Sequence, residues 1–239
     1  MRVDFYKLYG YMNFLNYILW LLELNVLFCI VNLPIIAALM FLDISLLNAP
    51  VFLLAGLTLG PALYAMFDSM AVIDKKNALI RHFIKSFAGN CKKVLKMWAP
   101  MWAVIVFLVF DLQIINKYTI FSAPRILLIV LICMAVTFAI NYFIVWTTWK
   151  QNVKDALIMT GKLALVKAGR YNMNFMILLG TALLMRYVPV YLVLYGAAVA
   201  LFLAYKNFTP VIQFVNDRPE NQSEDTEREI YGENKNLQK

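Results

Sequence analysis

The sequence predicts an all-α polytopic membrane protein, a bundle of about six transmembrane helices. Hydrophobic residues make up 62% of the 239 residues and charged residues only 15%, whereas a soluble domain is roughly half apolar and a quarter charged. The apolar residues form blocks of about 20, the length that a helix needs to cross about 30 Å of hydrocarbon. Lipid cannot satisfy exposed backbone groups, and the alternation typical of barrel strands is absent, so each block is predicted to be helical.

The predicted spans follow one another within a single domain, residues 1–215, and a charged tail, residues 216–239, is predicted to be disordered and cytoplasmic. The fifth apolar block is short, which predicts that its helix begins earlier, near residues 163–167. In order, the six spans cover residues 16–42, 50–73, 94–115, 124–149, 172–185 and 187–208.

Lysine and arginine predict the orientation of the spans. Seven lie within residues 74–96 and five within residues 150–170, against Lys117, Arg125 and Arg186 on the opposite side. Cytoplasmic loops carry the excess of basic residues, so both termini are predicted to be inside. The net charge of +8 is therefore interpreted as a topology signal, and nucleic-acid binding is not expected.

Tryptophan pairs also mark predicted span ends. Trp98 and Trp102 open the third span, and Trp146 and Trp149 close the fourth. Amphipathic rings favour the boundary between hydrocarbon and water, so these residues predict an aromatic belt at the cytoplasmic interface.

Polar residues inside the spans are the candidate site. Glu23 and Asp68 are predicted at similar depth on adjacent helices, where two carboxyl groups could form a proton or cation site. The alternative is that Glu23 is neutral or paired with a basic loop residue and that Asp68 caps the interface. Asn25, Asn32 and Asn141 are expected to hydrogen-bond between helices.

Helix breaks are predicted at Pro34, Gly60 and Pro61, because proline removes a backbone donor. Gly56 and Gly60 are four residues apart, a spacing that permits close helix contact. Broken helices also form binding sites in transporters, so close packing and a substrate site are the two readings.

An amphipathic helix is predicted over residues 79–95, with an apolar stripe on one side and lysines largely on the other. Such a helix can lie on anionic lipid or against another protein. The residues proposed for this lipid or partner surface are Leu79, Phe83, Lys85, Phe87, Lys92 and Lys93.

Catalytic chemistry is not predicted. His82 is the single histidine, which excludes a multi-histidine metal site and most histidine-dependent triads. Cys29, Cys91 and Cys133 form no disulfide framework, since two lie in predicted spans and one in a cytoplasmic loop. The chain is therefore expected to be neither an enzyme nor a carrier of a metal or cofactor.

Short motifs in the first 100 residues resemble the YesL family of small bacterial membrane proteins, a family of undefined biochemical activity. The motifs are Leu24-Asn-Val-Leu-Phe, Asn32-Leu-Pro, Gly60-Pro-Ala-Leu-Tyr and His82-Phe-Ile-Lys-Ser-Phe-Ala-Gly-Asn-Cys-Lys-Lys. The chain departs from the family in its longer loop at residues 43–48 and in Asp74-Lys-Lys, where the family has an acidic pair.

The resemblance implies a multi-pass protein of the bacterial plasma membrane that is linked with carbohydrate uptake of the ABC class. The expected function is that of an accessory or scaffold protein in contact with permease and ATPase subunits, and a homo-oligomer is compatible with it. The alternative is a self-contained carrier of a small solute, with Glu23, Asp68 and the break at Pro61 as its site.

Overall fold

The computed structural model describes residues 5–73, 78–118, 122–150, 152–185 and 189–216. These residues are almost entirely helical, and no strand occurs among them, which confirms the predicted all-α class. The predicted tail lies outside the described residues except for Asn216, which is helical. The α-helices are α1 (Phe5–Val31), α2 (Leu33–Phe41), α3 (Ala49–Ala55), α4 (Leu59–Met70), α5 (Leu79–Tyr118), α6 (Ser122–Trp149), α7 (Val153–Val166), α8 (Ala168–Met185) and α9 (Pro189–Asn216).

Four of the described helical segments are long and apolar enough to cross a membrane: Leu46–Met70, Leu79–Asn116, Ala123–Trp149 and Gly196–Val215. A fifth candidate is the bent pair Leu15–Val31 and Leu33–Phe41. Within the described ranges the structure thus shows four or five candidate spans, whereas the sequence predicted six for the whole chain. The predicted fifth span corresponds to α8, which is not among the candidates and begins at Ala168, earlier than residue 172.

Helix α5 joins two segments that the sequence treated separately. It continues for 40 residues, from the amphipathic segment through the predicted third span, with Pro100 inside it. At a rise of 1.5 Å per residue it is about 60 Å long, roughly twice the thickness of the hydrocarbon layer. The amphipathic segment therefore continues without a break into a span.

Helix α4 occupies the centre of the bundle, where it packs against α1, α5, α6 and α9. Every residue from Gly60 to Met70 is buried. Small side chains permit this contact on several sides, since Ala62 and Ala65 have no exposed surface. The outer faces of α2, α5 and α6 instead expose large apolar side chains such as Phe41, Phe107 and Leu127, as expected of helices that face lipid.

Candidate functional site

Asn32 lies at the first break, between α1 and α2, where the two helices meet at an angle of 67°. Its buried side chain donates through Nδ2 to the carbonyl of Phe28 at 2.9 Å and accepts through Oδ1 from the hydroxyl of Thr58 at 3.1 Å. Pro34, in the first turn of α2, cannot donate a backbone hydrogen bond. The predicted bend is confirmed, and Asn32 connects it to a second break.

The second break separates α3 from α4 by a short 3-10 segment, Gly56–Thr58. Two indoles of α5 bond to carbonyl groups there. Nε1 of Trp98 donates to the carbonyl of Gly56 at 2.9 Å, and Nε1 of Trp102 donates to the carbonyl of Phe52 at 3.2 Å. Despite the break, Leu46–Met70 continues as one span-length helical segment.

Gly56 and Gly60 are the two positions at which the indoles approach the backbone. A Cβ atom at Gly56 would overlap the ring of Trp102, and one at Gly60 would overlap Trp98. The predicted close helix contact is therefore confirmed, and tryptophan fills the space that the glycines leave. Trp98 and Trp102 are stacked at 5.7 Å between ring centroids.

The aromatic belt predicted from the tryptophan pairs is not what the structure shows for Trp98 and Trp146. Only 3% of Trp98 and 1% of Trp146 is exposed. Trp98 packs on Phe143, and Trp146 packs on Tyr64 with ring centroids 5.0 Å apart. Tryptophan near a span end therefore lies in the core when glycine or tyrosine on a neighbouring helix provides a surface for it.

Asparagine side chains join helices at two further places. Oδ1 of Asn25, in α1, accepts from the backbone N–H of Ala198 in α9 at 3.0 Å. Asn141, in α6, accepts from Asn174 of α8 at 2.6 Å, and Asn174 accepts from Asn207 of α9 at 2.7 Å. The interhelical role predicted for these asparagines is confirmed.

Sequence reasoning missed Asn174 and Asn207. Arg170 continues their chain to the surface, because its guanidinium donates to Oδ1 of Asn207 at 3.1 Å. Arg170 and Asn174 are four residues apart on α8, which is the one local signal that they share a face.

Asp68 lies near the end of α4 and has two basic neighbours. Its carboxylate is 3.1 Å from Nε2 of His82 at the start of α5 and 3.7 Å from Nζ of Lys150, the residue after α6. Lys150 has a φ of 48°, the left-handed conformation that often ends a helix. This ion cluster ties together one end of three helices.

Glu23 has different surroundings from Asp68. It is half-buried on α1 and lines a groove beside the first turns of α5, with Arg81 and Lys85. Asp68 instead bonds to His82 and Lys150. Among the described contacts the two carboxylates share no basic partner, and the predicted site of two paired acids stays a prediction.

The surface predicted over residues 79–95 is partly internal. Leu79 and Phe83 are buried in the main core, and Phe87 is partly buried and stacks on Phe83 with centroids 6.4 Å apart. These apolar residues pack against the chain itself, so they do not form a free partner or lipid surface. The periodicity predicted an apolar face, and the protein's own bundle, rather than lipid or a partner, covers Leu79 and Phe83.

The exposed side of the same segment carries the lysines. Lys85 and Lys92 are exposed, and Nζ of Lys93 lies 5.5 Å from the ring centroid of Trp146. Ile80 and Ile84 are also about half exposed. A mixed apolar and basic face therefore remains available beside Glu23.

A cavity of about 520 Å³ lies beside the two breaks. Its walls come from the end of α1, from α2 and α3, from α5 between Trp102 and Phe110, and from Ala197 of α9. Polar side chains in the described lining are those of Cys29, Asn32 and Trp102. The cavity therefore offers an apolar volume next to hydrogen-bonded breaks.

Comparison with protein-family models, curated proteins and solved structures finds no match. The YesL resemblance accordingly stays a prediction from the sequence. Among the described residues, no three His, Cys, Asp or Glu side chains are grouped as metal ligands. The described polar groups form hydrogen bonds between helices and at the two helix breaks, together with one cluster around Asp68.

Proposed function

We propose that the chain is an integral membrane accessory or scaffold protein that acts through contacts of its helices and cytoplasmic segments. One observation carries the proposal: the polar groups at both helix breaks bond to each other or to the backbone. Asn32 bonds to Phe28 and Thr58, and the indoles of α5 bond to the carbonyls of the second break. These bonds favour a fixed architecture over a site that exchanges a polar solute.

The proposed contact surface is the outward face of α7. This helix buries Ala156, Thr160 and Leu163 against its neighbours. On other sides it exposes Ile158 and Leu165, the latter with 85% of its surface accessible. An apolar helix face flanked by exposed lysines suits helix-in-groove recognition by another protein.

The proposed partners follow from the YesL resemblance: permease and ATPase subunits of a carbohydrate ABC importer in a bacterial plasma membrane. The test is purification of the full chain from its native membrane, with identification of the subunits that co-purify. Permease and ATPase subunits in stoichiometric amount would support the proposal, and recovery of the chain without them would contradict it.

A pair of α7 variants sharpens that experiment. Ile158→Ser with Leu165→Ser should reduce partner recovery by about tenfold, since about 1.4 kcal/mol of lost contact corresponds to that factor. The matched control is Ile158→Val with Leu165→Met, which keeps the face apolar. Equal recovery from both double variants would remove α7 from the interface.

The proposal includes six spans with both termini cytoplasmic, which rests on the lysine and arginine asymmetry. Single cysteines at Leu46 and Ala88, both exposed in the structure, would lie on opposite sides of the membrane in this topology. An impermeant maleimide should label position 46 from outside and position 88 only after permeabilisation. Labelling of position 46 from inside would overturn the topology.

A second candidate function is a self-contained carrier of a small solute. The observation that favours it is that two broken helices meet, at Asn32 and Thr58, beside a cavity. Glu23→Gln separates the candidates, because the amide keeps the shape and removes the titrating group. A scaffold should keep partner binding unchanged, whereas a proton-coupled carrier should lose gradient-driven uptake in liposomes.

A further inference from the structure

The cavity beside the helix breaks has a chemistry that the scaffold role does not use. We propose that it is a lipid site that holds one acyl chain of a membrane phospholipid. The acyl chain would enter from the leaflet that lies farther from the cluster of Asp68, His82 and Lys150. This inference goes beyond the scaffold function and does not depend on it.

The low polarity of the cavity lining favours hydrocarbon as the occupant. The indole of Trp102 already donates to Phe52, and the amide of Asn32 already bonds to Phe28 and Thr58. A buried water needs two to four polar partners, whereas apolar cavities stay dry and bind apolar molecules. Those bonds leave little for water to bind, while an acyl chain would cover the apolar side chains of α2 and α5.

The volume also fits a chain. A dry apolar cavity of about 150 Å³ accommodates benzene, and ordinary ligand sites run from about 300 to 1,000 Å³. The cavity measures about 520 Å³. It is therefore large enough for an extended hydrocarbon chain.

The mouth of the cavity faces lipid. Leu39 and Met40 line it and yet are 58% and 73% exposed, so they form a rim between the cavity and the outside of the bundle. In a membrane-spanning chain, the surroundings of such an apolar rim are hydrocarbon, which makes lipid the neighbour at the opening.

The depth of the cavity in the bilayer indicates the leaflet from which the acyl chain would enter. Ionised groups avoid hydrocarbon, so the cluster around Asp68 marks one membrane surface. Phe52, in the cavity wall, precedes Asp68 along α3 and α4 by a helical distance of about 24 Å. With hydrocarbon about 30 Å thick, the cavity lies in the half of the bilayer farther from that cluster.

The test uses phosphatidylcholine that carries a photoactivatable diazirine near the end of one acyl chain. Liposomes are prepared that contain both this lipid and the protein. Cross-links, mapped by peptide mass spectrometry, should concentrate on α2 and on α5 near Val109. Val109→Trp, which fills the cavity from α5, should remove most of this labelling. Ala197→Phe fills it from α9 and should do the same.

The matched control is Leu127→Trp on the exposed face of α6, which should leave the labelling unchanged. Labelling spread evenly over α2, α5 and the outer face of α6 would overturn the proposal, even if the filled variants fail to fold. So would undiminished labelling in folded Val109→Trp and Ala197→Phe, or covalent dimers that show a second copy in the cavity.

Discussion

The two broken helices of this protein have a similar residue pattern at their breaks but bend to different extents. Each carries a proline shortly after its break, Pro34 in one and Pro61 in the other. The first break turns the chain by 67°, whereas the second stays within one span-length helical segment. Asn32 and Thr58 hydrogen-bond the two breaks to each other, so they share one environment in the bundle.

Neighbouring side chains account for the difference. At the second break, the indoles of Trp98 and Trp102 bind backbone carbonyls and pack against Gly56 and Gly60. At the first break, the Asn32 amide bonds to the carbonyl of Phe28, and α2 diverges to leave the cavity beside it. A proline thus weakens a helix, and the contacts across the weak point determine its angle.

The largest expected effect on stability is that of adding a side chain at Gly60. Gly60→Ala places a Cβ atom against Trp98 in a tightly packed core, and we expect a loss of about 3 kcal/mol in the free energy of unfolding. Gly180→Ala is the control, because nothing lies within 4 Å of a Cβ atom there. Denaturation in mixed micelles would measure both, and equal stabilities would show that the glycine contact does not hold the second break.

Removing an indole donor should have a smaller effect. Trp98→Phe keeps most of the ring packing and leaves the buried carbonyl of Gly56 without its bond from α5, at an expected cost of about 2 kcal/mol. Trp102→Phe should cost less, since its bond is longer and only partly buried. The same denaturation assay ranks the variants, and a larger loss for Trp102→Phe would reverse the assignment.

The bond between the breaks should have the smallest effect. A double-mutant cycle of Asn32→Ala and Thr58→Val should give a coupling of about 0.6 kcal/mol, a typical value for hydrogen bonds within membranes. A coupling near zero would mean that the two breaks behave independently.

The sequence predicted local features of this fold better than their partners. The bend at Pro34 and the close contact at Gly56 and Gly60 follow from residue type and spacing. The difference between Pro34 and Pro61 does not, because the indole donors lie 42 and 50 residues from the carbonyls that they bind.

The same limit explains what sequence reasoning missed in the candidate site. Periodicity identified the apolar face that includes Leu79 and Phe83 but could not show that the protein's own core covers it. Asn174 bonds to partners 33 residues away in each direction, so no local pattern connects Asn141, Asn174 and Asn207.

The most direct test of this account measures the shape of the second break without its indole donors. Spin labels at Val51 and Ala71, both exposed, flank the break in a background that lacks the three native cysteines. A straight helix sets their backbone separation at about 30 Å. We predict this separation for the protein with its native tryptophans. For Trp98→Phe with Trp102→Phe we predict a broader distribution of distances, with a mean shorter by roughly 4 Å by the same helix geometry. An unchanged, narrow distribution in the double variant would contradict the claim that contacts, rather than the proline, determine the angle.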